Sequence, residues 1–110
     1  MNHQEQLEQV VVTAEQMRQI EERIFAAGMP VAALMEKAAG LTATRIRQLY
    51  PLSQVSRVGI LVGPGHNGGD ALVVARELHL AGYQVSLYRP FSKLKDLTAQ
   101  HAQYADNLEI

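Results

Sequence analysis

Cysteine is absent from the chain, so neither a disulfide nor thiolate chemistry is open to it. That fits a reducing compartment, and a cytoplasmic location is expected. No apolar run approaches the roughly 18 residues of a membrane span. The opening Met1-Asn2-His3-Gln4-Glu5-Gln6 is polar and carries an acid, unlike a signal or transit peptide. A net charge of only −1 argues against bulk electrostatic attraction to nucleic acid or an anionic membrane, and neither is expected as a partner. Internal repeats, low-complexity tracts and long charge runs are missing, as are a metal-ligand cluster, a nucleophile triad and paired carboxylates. What remains is an ordinary globular composition, 47% hydrophobic and 19% charged, in 110 residues, enough for at most one domain.

The most informative stretch is Val58-Gly59-Ile60-Leu61-Val62-Gly63-Pro64-Gly65-His66-Asn67-Gly68-Gly69-Asp70. A short apolar run, a cluster of glycines and then Ala71-Leu72-Val73-Val74-Ala75-Arg76 read as a buried strand, a tight turn and the start of a helix. Such a helix aims its unpaired N–H groups and the positive end of its dipole at whatever sits over the turn, and an anion such as phosphate is the natural occupant. The glycines are expected to supply positive φ and close backbone approach to a ligand.

Gly63, Gly65 and Gly68 satisfy G-x-G-x-x-G, but the dinucleotide fingerprint also needs an acid roughly 20 positions further on, at the end of the next strand. Here that strand ends Leu87-Tyr88-Arg89-Pro90. Arg89 admits two readings, a contact for a phosphate-bearing ligand or a solvated strand-end residue. No Gly-Lys-Ser/Thr follows the turn, which excludes the P-loop. An ordinary NAD-dependent dehydrogenase fragment therefore fails mainly on the missing carboxylate.

Along the chain, residues 1–10 read as a loose tail. Thr13 and Gln16 suit a capping box, and Met17, Ile20, Ile24 and Ala27 follow on one helical face. Gly28 is placed to end that helix and Pro30 to open the next, which carries Val31, Leu34, Met35, Ala38, Thr42, Ile46 and Leu49 before Pro51. Its small Ala38-Ala39-Gly40 face permits close approach. The methionines read as core filling. After the polar segment 53–57 come strand 58–62, the glycine turn, a third helix ended by Gly82 and a second strand 84–89. This unit is expected to be a right-handed parallel crossover. A last helix over about 94–108 is expected to place Leu94, Leu97, His101, Tyr104 and Leu108 on or near one face. His79 and His101 read as structural, and His3 lies in the tail.

Two parallel strands alone leave unpaired edges and exposed apolar side chains. The sheet is therefore expected to be part of a larger one, either because the chain is a fragment, the favoured expectation, or because a second chain adds strands.

Gly63-Pro64-Gly65-His66-Asn67-Gly68-Gly69-Asp70-Ala71-Leu72-Val73 resembles the G-x-G-N-N-G-G-D-G-L-V signature of the YjeF N-terminal domain family, the NAD(P)H-hydrate epimerases. Thr13-Ala14-Glu15-Gln16-Met17-Arg18, Gly28-Met29-Pro30-Val31 and Leu34-Met35-Glu36-Lys37-Ala38-Ala39-Gly40 also resemble that family's opening helices. The resemblance implies an α/β fold of Rossmann-like three-layer αβα type with a parallel sheet, of which residues 11–110 form the N-terminal half, ending after the second strand and its following helix. It implies interconversion of the R and S forms of hydrated NADH and NADPH (NADHX and NADPHX), which carry a hydroxyl at C6 of the nicotinamide ring. It places the substrate at His66, Asn67, Gly68, Gly69 and Asp70, and a potassium ion on the side-chain oxygen of Asn67. A homodimer and an ADP- or ATP-dependent NAD(P)H-hydrate dehydratase, fused or separate, are the implied partners.

The family's later cation ligands, second phosphate-contacting loop and catalytic acid fall beyond Ile110, so no catalytic residue is assigned and the chain alone is expected to catalyse little. Two positions depart from the signature, His66 for Asn and Ala71 for Gly. They lend support to an alternative, a non-enzymatic YjeF-type module for nucleotide binding or dimerisation, against which the intact Gly68-Gly69-Asp70 run counts. His66 is either a proton shuttle or a hydrogen-bonding replacement. Asp70 reads both as a first-turn carboxylate satisfying helix N–H groups and as a substrate or cation-site group.

Overall fold

The computed structural model describes residues 2–91 and 93–110. They form α1 (His3–Glu8), α2 (Ala14–Ala26), α3 (Val31–Leu49), β1 (Arg57–Leu61), α4 (His66–Leu80), β2 (Gln84–Tyr88) and α5 (Asp96–Asn107). The chain divides into two compact units, Met1–Val31 and Ala32–Ile110.

In the first unit local chemistry decides the structure. Asn2 and Glu5 form a reciprocal capping box, so a six-residue helix stands where the sequence predicts a loose tail over 1–10. The predicted box of α2 is present: Thr13 Oγ1 accepts from the Gln16 N–H at 3.1 Å, and Gln16 Oε1 accepts from the Thr13 N–H at 2.8 Å. Gly28 ends α2 with φ +105°, and the Gly28 and Met29 N–H groups donate to Phe25 and Ile24. That is a Schellman closure, which favours glycine for want of a Cβ. Neither α1 nor α2 buries a residue.

The second unit is built around α4, whose Gly68, Gly69, Leu72, Val73, Val74, Ala75 and Leu78 are all buried. One cluster joins Val73, Val74 and Leu78 to Met35, Ala39 and Ala43 of α3 and to Tyr83. Another joins Leu72 and Val62 to Ala102 and Ala105 of α5. Every fourth residue of α3 from Met35 to Ala43 thus faces the core; Ala38 is exposed, and a Cβ on Gly40 would meet open space. Gly82 ends α4 at φ +105° with Tyr83 N–H donating to Leu78 O at 3.0 Å, as its position in the sequence predicts.

Strands β1 and β2 pair in parallel with Arg57 opposite Gln84 and Leu61 opposite Tyr88. Val58, Ile60, Val85 and Leu87 pack into the core, whereas Arg57, Gly59, Leu61, Gln84, Ser86 and Tyr88 are exposed. The apolar run is therefore not a strand buried on both faces, as predicted, because helices cover one face and leave Leu61 79% exposed. Exposed apolar side chains on a two-stranded sheet are what the sequence leads one to expect.

The buried face of α5 also differs from the predicted one. Thr98, Ala102 and Ala105 are buried, while Tyr104 is 47% exposed. Small residues let α5 lie close against α4, and the larger side chains flank that contact.

Candidate functional site

Beyond β1, Val62 is buried and its N–H donates to Tyr88 O at 2.9 Å. Gly63-Pro64-Gly65 then turns the chain directly into α4. Gly65 is the N-cap, with extended backbone and no side-chain cap. The helix starts at His66, earlier than predicted, so His66-Asn67-Gly68-Gly69-Asp70 is its first turn and a half. Asp70 consequently falls at the fifth helical position, and the first turn holds no acid. The dipole argument for Asp70 weakens accordingly, since that effect fades within one turn.

The five predicted site residues separate into three kinds by burial. His66 and Asn67 are exposed, Asp70 is half-buried, and Gly68 and Gly69 are buried. A Cβ on Gly68 would run into the Gly63 carbonyl oxygen, a backbone atom that cannot rotate aside. A Cβ on Gly69 would lie 2.7 Å from Met35 Cε and 3.0 Å from Thr98 Oγ1. These two glycines allow the helix to sit down on its own turn and on its neighbours. None of the site glycines has positive φ, which among the described glycines belongs to Gly28 and Gly82. Close approach, not left-handed backbone, is what the motif requires here. Gly63 and Gly65 differ, because a Cβ on either would meet only open space.

The N-terminal end of α5 braces the turn. Lys95 N–H donates to Pro64 O at 3.1 Å, and Thr98 Oγ1 donates to Gly65 O at 2.8 Å. Two helix N-termini, neither capped by a side chain, therefore converge on Pro64-Gly65. Their first N–H groups have no partner inside their own helices. Thr98 escaped the sequence reading, which followed the large residues of α5. The signal available was the i, i+4, i+7 run of small residues Thr98, Ala102 and Ala105.

Arg89 is engaged elsewhere, donating to both carboxylate oxygens of Asp106 at 2.8 and 2.9 Å. That favours the strand-end reading over a phosphate contact. Behind the site, Arg76 of α4 donates to Glu36 of α3 at 2.9 and 2.6 Å and to Glu77 at 2.7 Å. Hydrogen bonds from Arg76 hold the Glu36 carboxyl below the usual carboxylate range. His101 Nε2 lies 4.0 Å from Glu36 Oε1, placing it in this network and away from the turn.

Among the described residues no three His, Asp or Glu side chains gather as metal ligands. A hard monovalent cation is a different case. It takes neutral oxygens, and Asn67, exposed in the first turn of α4, carries one amide oxygen. A cavity of about 590 Å³ lies instead at the starts of the strands, against Arg57, Gln84 and Tyr83. Ligands of parallel α/β sheets sit beyond the carboxyl ends, where the glycine turn is.

With this geometry established, comparison with known proteins places the chain. The chain is 61% identical over 100 residues to the bifunctional NAD(P)H-hydrate repair enzyme Nnr of Synechocystis sp., covering 91% of this chain and 19% of that protein. It is 37% identical over 89 residues to the NAD(P)H-hydrate epimerase of Schizosaccharomyces pombe, covering 81% of this chain and 37% of the relative. The crystal structure of yeast ynu0, YNL200c, superposes with a TM-score of 0.82 at 27% identity, over 92% of this chain and 45% of that one. This chain thus spans less than half the length of each. Residues 31–110 match the family described as YjeF-related protein N-terminus, and the chain belongs to that family.

Proposed function

We propose that this chain carries the substrate loop of an NAD(P)H-hydrate epimerase domain, which interconverts the R and S forms of hydrated NADH and NADPH. The observation that carries the proposal is the uncapped start of α4 on Gly63-Pro64-Gly65, with Gly68 packed on the turn and bare backbone at Gly63 and Gly65 facing open space. The names of the relatives supply the substrate class. In this role the first N–H groups of α4 receive anionic oxygens of the nucleotide. His66 and Asn67 offer exposed polar groups to the ligand. Asn67 contributes one oxygen to a potassium ion, whose chemistry is charge balance beside the nucleotide. An NAD(P)H-hydrate dehydratase is the partner this role supports, given the bifunctional name of the Nnr relatives; a homodimer belongs to the same proposal and is read by sedimentation velocity.

The test is titration of the isotopically labelled 110-residue chain with hydrated NADPH prepared as a mixture of epimers. Amide resonances of residues 63–70 are expected to shift, with smaller shifts for intact NADPH. Silence in the loop at millimolar hydrate overturns the proposal. Tighter binding of intact NAD than of its hydrate favours a dehydrogenase relative instead. The non-enzymatic module is separated by His66→Asn in a complete domain, followed by chiral chromatography of the same mixture: a change in turnover favours the epimerase, a change in binding alone the module.

A further inference from the structure

We propose that Thr98 is a positioning residue for the loop, fixing the direction in which the His66 N–H points. This rests on the loop being the substrate loop. Thr98 is the fully buried polar side chain of the described residues, at 0% exposure. Its hydroxyl spends its proton on Gly65 O at 2.8 Å, shorter than the bonds the same oxygen accepts from Gly68 N–H, 3.0 Å, and Gly69 N–H, 3.4 Å. A trans peptide is planar, and its C=O and N–H point in opposite directions. Anchoring Gly65 O toward α5 therefore turns the His66 N–H away from α5. The preceding peptide is held the same way, since Lys95 N–H takes Pro64 O at 3.1 Å and so turns the Gly65 N–H outward.

Two successive amides are thus aimed by one neighbouring helix, the arrangement that anion-binding backbone requires. Gly65, having no Cβ, has no side chain to restrain its rotation, so the Thr98 bond adds to the two helical bonds that its carbonyl accepts. Gly69 lets the hydroxyl approach, because a Cβ there would crowd Thr98 Oγ1 at 3.0 Å. The Lys95 bond is backbone and survives any substitution there except proline. The Thr98 bond is the one a side-chain change removes.

The experiment compares Thr98→Val, which keeps the shape and loses the donor, with Thr98→Ser, which keeps the donor. Nitrogen–proton spectra of the labelled chain are recorded alone and with hydrated NADPH. In Thr98→Val the Gly65 and His66 amides are expected to shift, while the amides of Val58 to Ile60 stay in place. The dissociation constant for hydrated NADPH is expected to rise roughly tenfold, as for loss of one buried hydrogen bond. Thr98→Ser is expected to restore the loop amides and bring binding within about twofold of the parent. Thr98→Ala replaces Thr98→Val if the latter does not fold. Unchanged Gly65 and His66 amides in the donor-less variant overturn the positioning role. A parent chain that does not bind hydrated NADPH overturns only the functional proposal, because the ligand-free amides still decide whether Thr98 aims the loop.

Discussion

Helix α2 opens with a reciprocal Thr13–Gln16 capping box, carries Arg18 between Glu15 and Glu22, and buries none of its residues. Helix α4 opens on a glycine with no side-chain cap and no acid in its first turn, yet buries seven residues. The first is written almost entirely in local sequence; the second exists because α3, α5 and the strands close around it. Burial of Leu72 and Leu78 alone contributes on the order of 1.5–3 kcal/mol each, which is ample to hold a helix whose start is left uncapped. An uncapped start is a cost for a surface helix. For α4 it leaves N–H groups facing the turn where the proposed ligand sits, so the stability of the core is what would permit such a site.

The sharpest way to break this comparison is Gly68→Ala. The added methyl meets the Gly63 carbonyl, so either the turn moves or the helix lifts from it. A loss above roughly 3 kcal/mol in denaturant unfolding is expected, with the residues 63–70 amides displaced. Gly40→Ala in α3 is the matched control, since its Cβ meets nothing within 4 Å; it should stabilise by about 0.5–1 kcal/mol. Equal effects at the two positions would mean that helix propensity, not closure of the turn, explains Gly68.

A smaller effect is expected where α3 grips α4. Arg76→Met removes the fork to Glu36 and should cost about 1–2 kcal/mol, because Arg76 is 18% exposed but Glu36 is 42% exposed and regains water. The pair also sets a pH dependence. Glu36 in the folded chain is held below its ordinary value near 4.5, first by its hydrogen bonds from Arg76. Its contribution is therefore complete above about pH 4.5 and is lost as pH falls through the folded value. Melting between pH 6 and pH 3 should fall less steeply in Glu36→Gln than in the parent. Identical slopes would remove Glu36 from the acid transition.

How much could be read from the sequence follows the same division. Caps and stops, Thr13–Gln16, Gly28 and Gly82, were legible because each acts within a few residues of itself. The strand–turn–helix and its glycines were legible as a pattern, but their purpose was misjudged: closeness to Gly63, Met35 and Thr98, not positive φ, depends on residues far away in the chain. The face of α5 is legible only in part: Leu94 and Leu97 do pack against the core, but the fully buried positions lie beside them. Leu94, Leu97 and Tyr104 carry more apolar surface than Thr98, Ala102 and Ala105, and only the proximity of α4 makes the small face the buried one. The strand-end reading of Arg89 finds its partner only in the fold, where Asp106, seventeen positions on, holds it.

The smallest effect belongs to the locally written helix. Thr13→Ala removes the acceptor for the Gln16 N–H and frees the Gln16 side chain from its return bond. The cost is about 1 kcal/mol, felt as fraying of the first turn of α2. Amide exchange at Gln16 and Met17 should quicken roughly fivefold, while Leu72 to Leu78 in α4 keep their protection, because no bond of theirs passes through the cap. Thr13→Ser, which restores the acceptor, should return the exchange rates. If Thr13→Ala leaves Gln16 and Met17 unchanged, the box contributes nothing in solution, and the order of α2 must come from its propensity and its Arg18 ion pairs instead.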